Sequence, residues 1–264
     1  MLKSNLKVIV FVVVLLLLPY VLLAIGERSD PFTVNTSQAY KQPSMENILG
    51  TDSLGRNMFA RTVYASGLSL KVVMQSVLIS FLLALFLGCL SGYTAGSWID
   101  LGITWIIALL YTIPFILIVI AVFTVINPGI ENAYLIIGCI GWSGPARLVR
   151  AEVMQIKTSQ FVLAERAFGF SSSFILFRSI LPLSFTPALI SLLYYIPELI
   201  GIEVGLSFFG LGTQPPIPSL GSLIYEGVSL FYVGWWLAVI PATILLIMMA
   251  GLYIITASLS SAKS

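Results

Sequence analysis

The chain of 264 residues contains no histidine and only two cysteines, and charged side chains make up just 9% of it. Without histidine, both the commonest metal ligand and the commonest acid–base catalyst are missing, so enzymatic readings start at a disadvantage. Cys89 and Cys139 lie in apolar stretches and read as small buried hydrophobes, not as a disulfide framework or a metal cage. No catalytic constellation and no metal-ligand set presents itself. The phosphate-cradling pattern G-x-x-x-x-G-K-[ST] is absent too, so the chain carries no ATP site of its own. A net charge of +2 on scattered basic residues leaves no footprint for a nucleic acid.

What is present is apolar. Hydrophobic residues make up 58% of the chain, and the mean hydropathy is +1.02. A water-facing shell cannot be built from that composition, so the chain is expected to be an all-α integral membrane protein. A helical span needs about 20 apolar residues. Six are expected, over Val8–Ile25, Leu68–Ala95, Leu101–Ile126, Ala133–Pro145, Pro182–Phe208 and Trp235–Leu259. This divides the chain into an N-terminal anchor helix (1–28), an extracytoplasmic segment (29–67), a core of five spans (68–260) and a short tail (261–264). A cleaved signal peptide is the competing reading of the first span, but its apolar run exceeds the roughly 7 to 15 residues such peptides use.

Lysines and arginines collect in cytoplasmic loops. Placing Lys3, Lys7, Arg147, Arg150, Lys157, Arg166, Arg178 and Lys263 inside, with most acids outside, puts both termini in the cytoplasm. Trp235, Trp236, Tyr64 and Trp98 fit interfacial anchors. Gly88 and Gly92 form a small-x-x-x-small pair suited to close helix packing. Pro114 and Pro187 are expected to be packing kinks. Glu198 and Glu203 are acids inside a span, and such groups either mark a pathway or pair with a neighbouring helix. Pro197 would free a backbone carbonyl beside Glu198.

Residues 147–181 form the one sizeable polar stretch on the cytoplasmic side, and their periodicity is helical. Val153, Ile156, Phe161, Ala164, Ala167 and Phe168 recur at mostly three- and four-residue steps, giving an amphipathic helix. Gly169 is placed to stop it, Ser171–Ser173 to cap the next helix, and Pro182 to begin the fifth span.

Residues 141–182, GWSGPARLVRAEVMQIKTSQFVLAERAFGFSSSFILFRSILP, resemble the coupling loop of binding-protein-dependent ABC importer permeases. That family's signature is E-A-A, three residues, G, nine or so residues, then L-P. Ala164, Gly169, Leu181 and Pro182 fall at matching positions, while Leu163 and Glu165 replace the leading glutamate and second alanine. LGTDSLGRNMFARTVYASGLSL (49–70) and EVGLSFFGLGTQPPIPSLGS (203–222) resemble further blocks of the C-type permeases of dipeptide, oligopeptide and nickel importers, with Leu220 where tryptophan is usual. The G-D-x-L-R-D-x-x-D-P tail common in that family is not found at Tyr253–Ser264.

The resemblance implies a type I importer permease fold and a short helix that docks on an ATPase, carried by Phe161, Ala164, Glu165, Ala167, Gly169, Leu181 and Pro182. It implies a homologous second permease, two ATPase subunits that bind ATP and magnesium, an extracytoplasmic substrate-binding protein, and a bacterial or archaeal cell membrane. Peptide is the first expectation for cargo, nickel or a metal chelate the second. An autonomous channel or secondary transporter would explain the spans and buried acids, but not the loop.

Overall fold

In a computed structural model of the chain, which describes residues 14 and 17–261, the fold is helical throughout. Among the described residues β-pairing is limited to one isolated bridge, Thr51 to Asn57. Residues 17–28 form α1; of the rest of the expected first span only Val14 is among the described residues. The remaining helices are α2 (Met58–Tyr93), α3 (Trp98–Thr112), α4 (Phe115–Phe123), α5 (Ile130–Gly141), α6 (Ser143–Lys157) and α7 (Gln160–Ala167). They are followed by α8 (Ser172–Phe208), α9 (Leu220–Ser229) and α10 (Trp236–Ser261).

Among the described residues three helices, α2, α8 and α10, are each long and apolar enough to cross a membrane, and α3 with α4 adds a fourth if that bent pair is one span. Lipid offers backbone groups no partner, so helices that satisfy their own hydrogen bonds are the permitted solution. Hydroxyls inside them follow the same rule: Thr62 donates to the Met58 carbonyl, Ser66 to Thr62 and Ser184 to Ile180.

Several boundaries differ from those expected of hydropathy. α2 begins ten residues before Leu68, because Asn57 caps it: its Oδ1 accepts from the Phe59 and Ala60 amides at 2.9 and 3.2 Å. The third span is not straight. Its two halves meet at 92° around Pro114, sharper than a packing kink, since proline lacks an N–H and pushes Ile113 into extended backbone (φ −92°, ψ 126°). The expected fourth span breaks at Trp142, leaving α5 with 12 residues, about 18 Å of rise against a hydrocarbon core near 30 Å. Pro145 then sits in the first turn of α6, where a missing N–H costs no intrahelical bond.

The amphipathic helix expected to run on to Gly169 is two helices. Thr158 and Ser159 donate side-chain hydrogen bonds to the carbonyls of Gln155 (2.9 Å) and Ile156 (2.6 Å), ending α6 by competing for its last acceptors. α8 starts at Ser172, before Pro182, and absorbs that proline through a π-helical stretch, Ile175–Ile180, in which the Leu181 amide reaches back to Leu176. Cys89 is buried as expected, but Cys139 is exposed on this chain; its helix presents it outward.

The chain folds as two compact units. One comprises Met1–Gln75, Phe123–Tyr134 and Pro197–Ser264; its apolar centre includes Met58, Trp236 and Leu237. The other comprises Ser76–Val122 and Leu135–Ile196, and has two apolar clusters. Ala84, Ile103, Ile107, Trp142 and Ala146 form one; Cys89, Val149, Val153, Val162, Ile175, Ile180 and Ala188 form the other.

In that second unit α2 and α6 approach at glycine distance. A Cβ on Gly88 would stand 2.7 Å from Val149 Cβ, and one on Gly92 would stand 2.7 Å from the Arg150 carbonyl oxygen. Gly102 in α3 has nothing within 4 Å. Gly88→Ala and Gly92→Ala are therefore expected to destabilise the purified protein by about 1–3 kcal/mol through overpacking, whereas Gly102→Ala gains about 0.5–1 kcal/mol from lost unfolded-chain freedom. Thermal melts of the three variants in detergent check the order.

Candidate functional site: the α6–α7–α8 loop and its supports

α7 is anchored on one side and bare on the other. Val162 is fully buried among Val153, Ile175 and Ile180, while Phe161, Leu163, Ala164, Ala167 and Phe168 are exposed. Phe168 is 82% exposed, and with Phe161 it makes the outer face of α7 apolar. The apolar pattern of the sequence thus divides: Val153 and Ile156 pack inward on α6, and Phe161, Ala164, Ala167 and Phe168 face out from α7.

The end of α7 is fixed by Gly169, at φ +83°. Its amide bonds to the Arg166 carbonyl at 3.0 Å and the Phe170 amide to Glu165 at 3.1 Å, the paired bonds of a Schellman stop. Ser171 then caps α8, its Oγ accepting from the Phe174 amide at 3.3 Å. Glu165 does not project from the exposed face. It is half-buried, and its Oε1 accepts from Ser179 Oγ at 2.7 Å, tying α7 to the π-helical stretch of α8. Leu181 packs against the core beneath α7, and Pro182 is exposed one residue on.

α6 carries the loop's second attachment, which the sequence reading did not find. Arg150 makes a two-pronged ion pair with Asp100 at the start of α3: Nε to Oδ1 at 2.7 Å and Nη2 to Oδ2 at 2.8 Å. Asp100 is 3% exposed and also accepts from Ser91 Oγ of α2 at 2.5 Å and from the Gly96 amide at 2.9 Å. Lys157, the last residue of α6, donates to the Tyr93 carbonyl at the end of α2, 2.5 Å away. The available signal was opposite charge: Asp100 and Arg150 fall on the same expected side of the membrane.

The two span acids part company. Glu203 is 2% exposed; its Oε1 accepts from Ser207 Oγ at 2.9 Å, and Ser69 is the neighbouring buried hydroxyl. Glu198 is exposed on this chain. The 49–70 and 203–222 blocks come together around Glu203, and the 49–70 block meets Glu226 around Arg61. Arg61, 2% exposed, lies 3.3 Å from Asp52 and 3.6 Å from Glu226, with Arg56 closing on Asp52 at 2.6 Å. Beside Glu226 a cavity of about 480 Å³ is lined by Phe208, Gln214 and Tyr225, among others. Among the described residues no cluster of three or more acids, histidines or cysteines is placed to hold a metal ion.

The chain is thus a helical membrane protein whose α7 is braced by Val162 and the Glu165–Ser179 bond and leaves Phe161 and Phe168 bare. The sequence profile of binding-protein-dependent transport system inner membrane components matches residues 84–262, and the chain belongs to that family. The dipeptide transport system permease protein DppC of Bacillus subtilis is 35% identical over 86% of this chain and 72% of its own length. The oligopeptide transport system permease protein OppC of the same organism is 29% identical over 92% and 80%. The glutathione transport system permease protein GsiD of Pectobacterium atrosepticum is 34% identical over 76% and 66%.

Gly169→Ala is expected to cost about 1–2 kcal/mol, because a side chain there must adopt left-handed backbone. The measurement is limited proteolysis of residues 160–180 beside a thermal melt; wild-type values in both would show that the stop is not needed.

Proposed function

We propose that the chain is a permease subunit of an ATP-driven importer of short peptides and forms half of its translocation pathway. The single observation that carries this reading is the exposed apolar face of α7, Phe161, Ala164, Ala167 and Phe168, on a helix otherwise held down by Val162, Glu165 and Gly169. A short amphipathic helix offered this way suits a groove on a partner. In this reading residues 147–181 and both termini are cytoplasmic. Two ATPase subunits receive α7 and hydrolyse ATP with magnesium, a homologous permease completes the pathway, and a substrate-binding protein delivers cargo outside.

Peptide is favoured over nickel or a metal chelate by the dipeptide, oligopeptide and glutathione names of the relatives. Membership of the family displaces an autonomous channel or secondary transporter. Of the two span acids, Glu198 is the pathway candidate because it is exposed on the chain, whereas Glu203 is buried.

Cells with and without the gene would be compared for uptake of labelled di- and oligopeptides and of radioactive nickel. Loss of peptide uptake alone is expected; loss of nickel uptake alone would overturn the cargo. Phe161→Asp and Ala167→Asp place a charge in an apolar contact and are expected to lower ATPase co-purification at least roughly tenfold, with the membrane level of the chain unchanged. Glu198→Gln is expected to cut uptake of lysine-containing peptides several-fold, roughly the effect of removing one carboxylate partner. Unaltered uptake of those peptides would remove Glu198 from the pathway.

A further inference from the structure

α7 is joined to α6 by two residues, Thr158 and Ser159, whose side chains cap the end of α6. A displacement imposed on α7 is therefore passed to α6 with little slack. α6 in turn is fixed to the α2–α3 corner at three levels of one face. Gly88 and Gly92 bring α6 against α2 at a distance that a Cβ would block. Arg150 grips Asp100 at two atoms. Lys157 ends on the Tyr93 carbonyl with its ammonium 5.4 Å from the Tyr93 ring centre.

The Asp100 carboxylate joins all the parts: Ser91 of α2, the Gly96 amide of the turn, its own helix α3, and Arg150 of α6. A planar guanidinium bound at both oxygens fixes direction as well as distance, which a point charge does not. The loop core formed by Val149, Val153 and Val162 is apolar and sets no direction along the helix axes.

Resting on the reading of α7 as the ATPase-docking helix, we propose that Arg150 and Asp100 are positioning residues that convert motor movement at α7 into movement of the α2–α3 pair. Removing the pair uncouples ATP hydrolysis from import while leaving the motor docked. The docking face and the Arg150–Asp100 link lie on different helices, so the two functions separate by mutation.

The test uses the full importer in proteoliposomes with peptide-loaded binding protein, measuring ATP hydrolysed and labelled dipeptide imported in the same sample. For Arg150→Gln and Asp100→Asn, the ATPase remains bound and active. Import falls about tenfold, so the ATP spent per peptide rises by about the same factor, the scale of one lost two-pronged ion pair that is partly open to solvent. Arg150→Lys keeps the charge without the fork and gives an intermediate ratio. A purely structural role would lower hydrolysis and import in parallel at a constant ratio, and that result, or wild-type values throughout, overturns the proposal. Should Arg150→Gln fail to assemble, Arg150→Lys decides: a raised ratio supports the link and an unchanged ratio overturns it. A wild-type importer that hydrolyses ATP but imports no peptide overturns the proposed function, and this inference with it.

Discussion

The close approach of α6 to α2 is the constraint on which the loop depends. Two glycines on one face of α2 admit the Val149 and Val153 side chains and the backbone of α6 at distances no other residue allows. Without that approach, Arg150 could not reach Asp100, nor Lys157 the end of α2. Small residues matter this much in a membrane helix pair because lipid is as apolar as the side chains, so association rests on packing and on satisfied polar groups, with little hydrophobic drive. The ion pair adds the directional element that packing lacks.

The same logic explains how so few charges are handled. Arg61 and Asp52 are almost fully buried, and each is a liability alone; together with Arg56 and Glu226 they form a neutral cluster. Asp52 also accepts the Leu54 and Arg56 amides at 2.9 Å, so the loop before α2 is ordered by the acid that neutralises the helix's arginine. Trp236 Nε1 donates to the Thr51 carbonyl at 3.3 Å and joins the start of α10 to this loop. The 49–70 block is therefore tied to Glu226 and Trp236, residues that follow the 203–222 block, although more than 150 residues separate them along the chain.

Much of the fold was legible, because hydropathy reports what faces lipid and glycine or proline reports where backbone must turn. The apolar stretches of α2, α8 and α10, the stop at Gly169 and the cap at Ser171 follow from those rules. Hydropathy does not report hydrogen bonds, which is why boundaries were missed. Arg61 falls in the stretch 29–67 expected to precede the span, whereas it lies inside α2 with Asp52 and Glu226 beside it. The break after Lys157 is made by two hydroxyls, and a polar pair inside an amphipathic pattern looks the same whether it ends a helix or lies on its surface. Pro114 could be recognised as a disturbance but not as a right-angled one, since the angle depends on what the two halves pack against.

The site residues follow the same division. The outward set Phe161, Ala164, Ala167 and Phe168 was visible as a helical stripe, but the stripe was assigned as one face with Val153 and Ile156, which point inward. The break between α6 and α7 resets the helical phase, and only Val162 of α7 remains on the buried side. Glu165 shows why the substituted signature is still workable. Where the family has alanine, this chain has an acid, which on a docking face would be a charge facing an apolar groove. Its bond to Ser179 turns it back onto α8, so one oxygen ties α7 to α8 and the acid is kept off the exposed apolar face, while its Oε2 is buried without a hydrogen-bond partner.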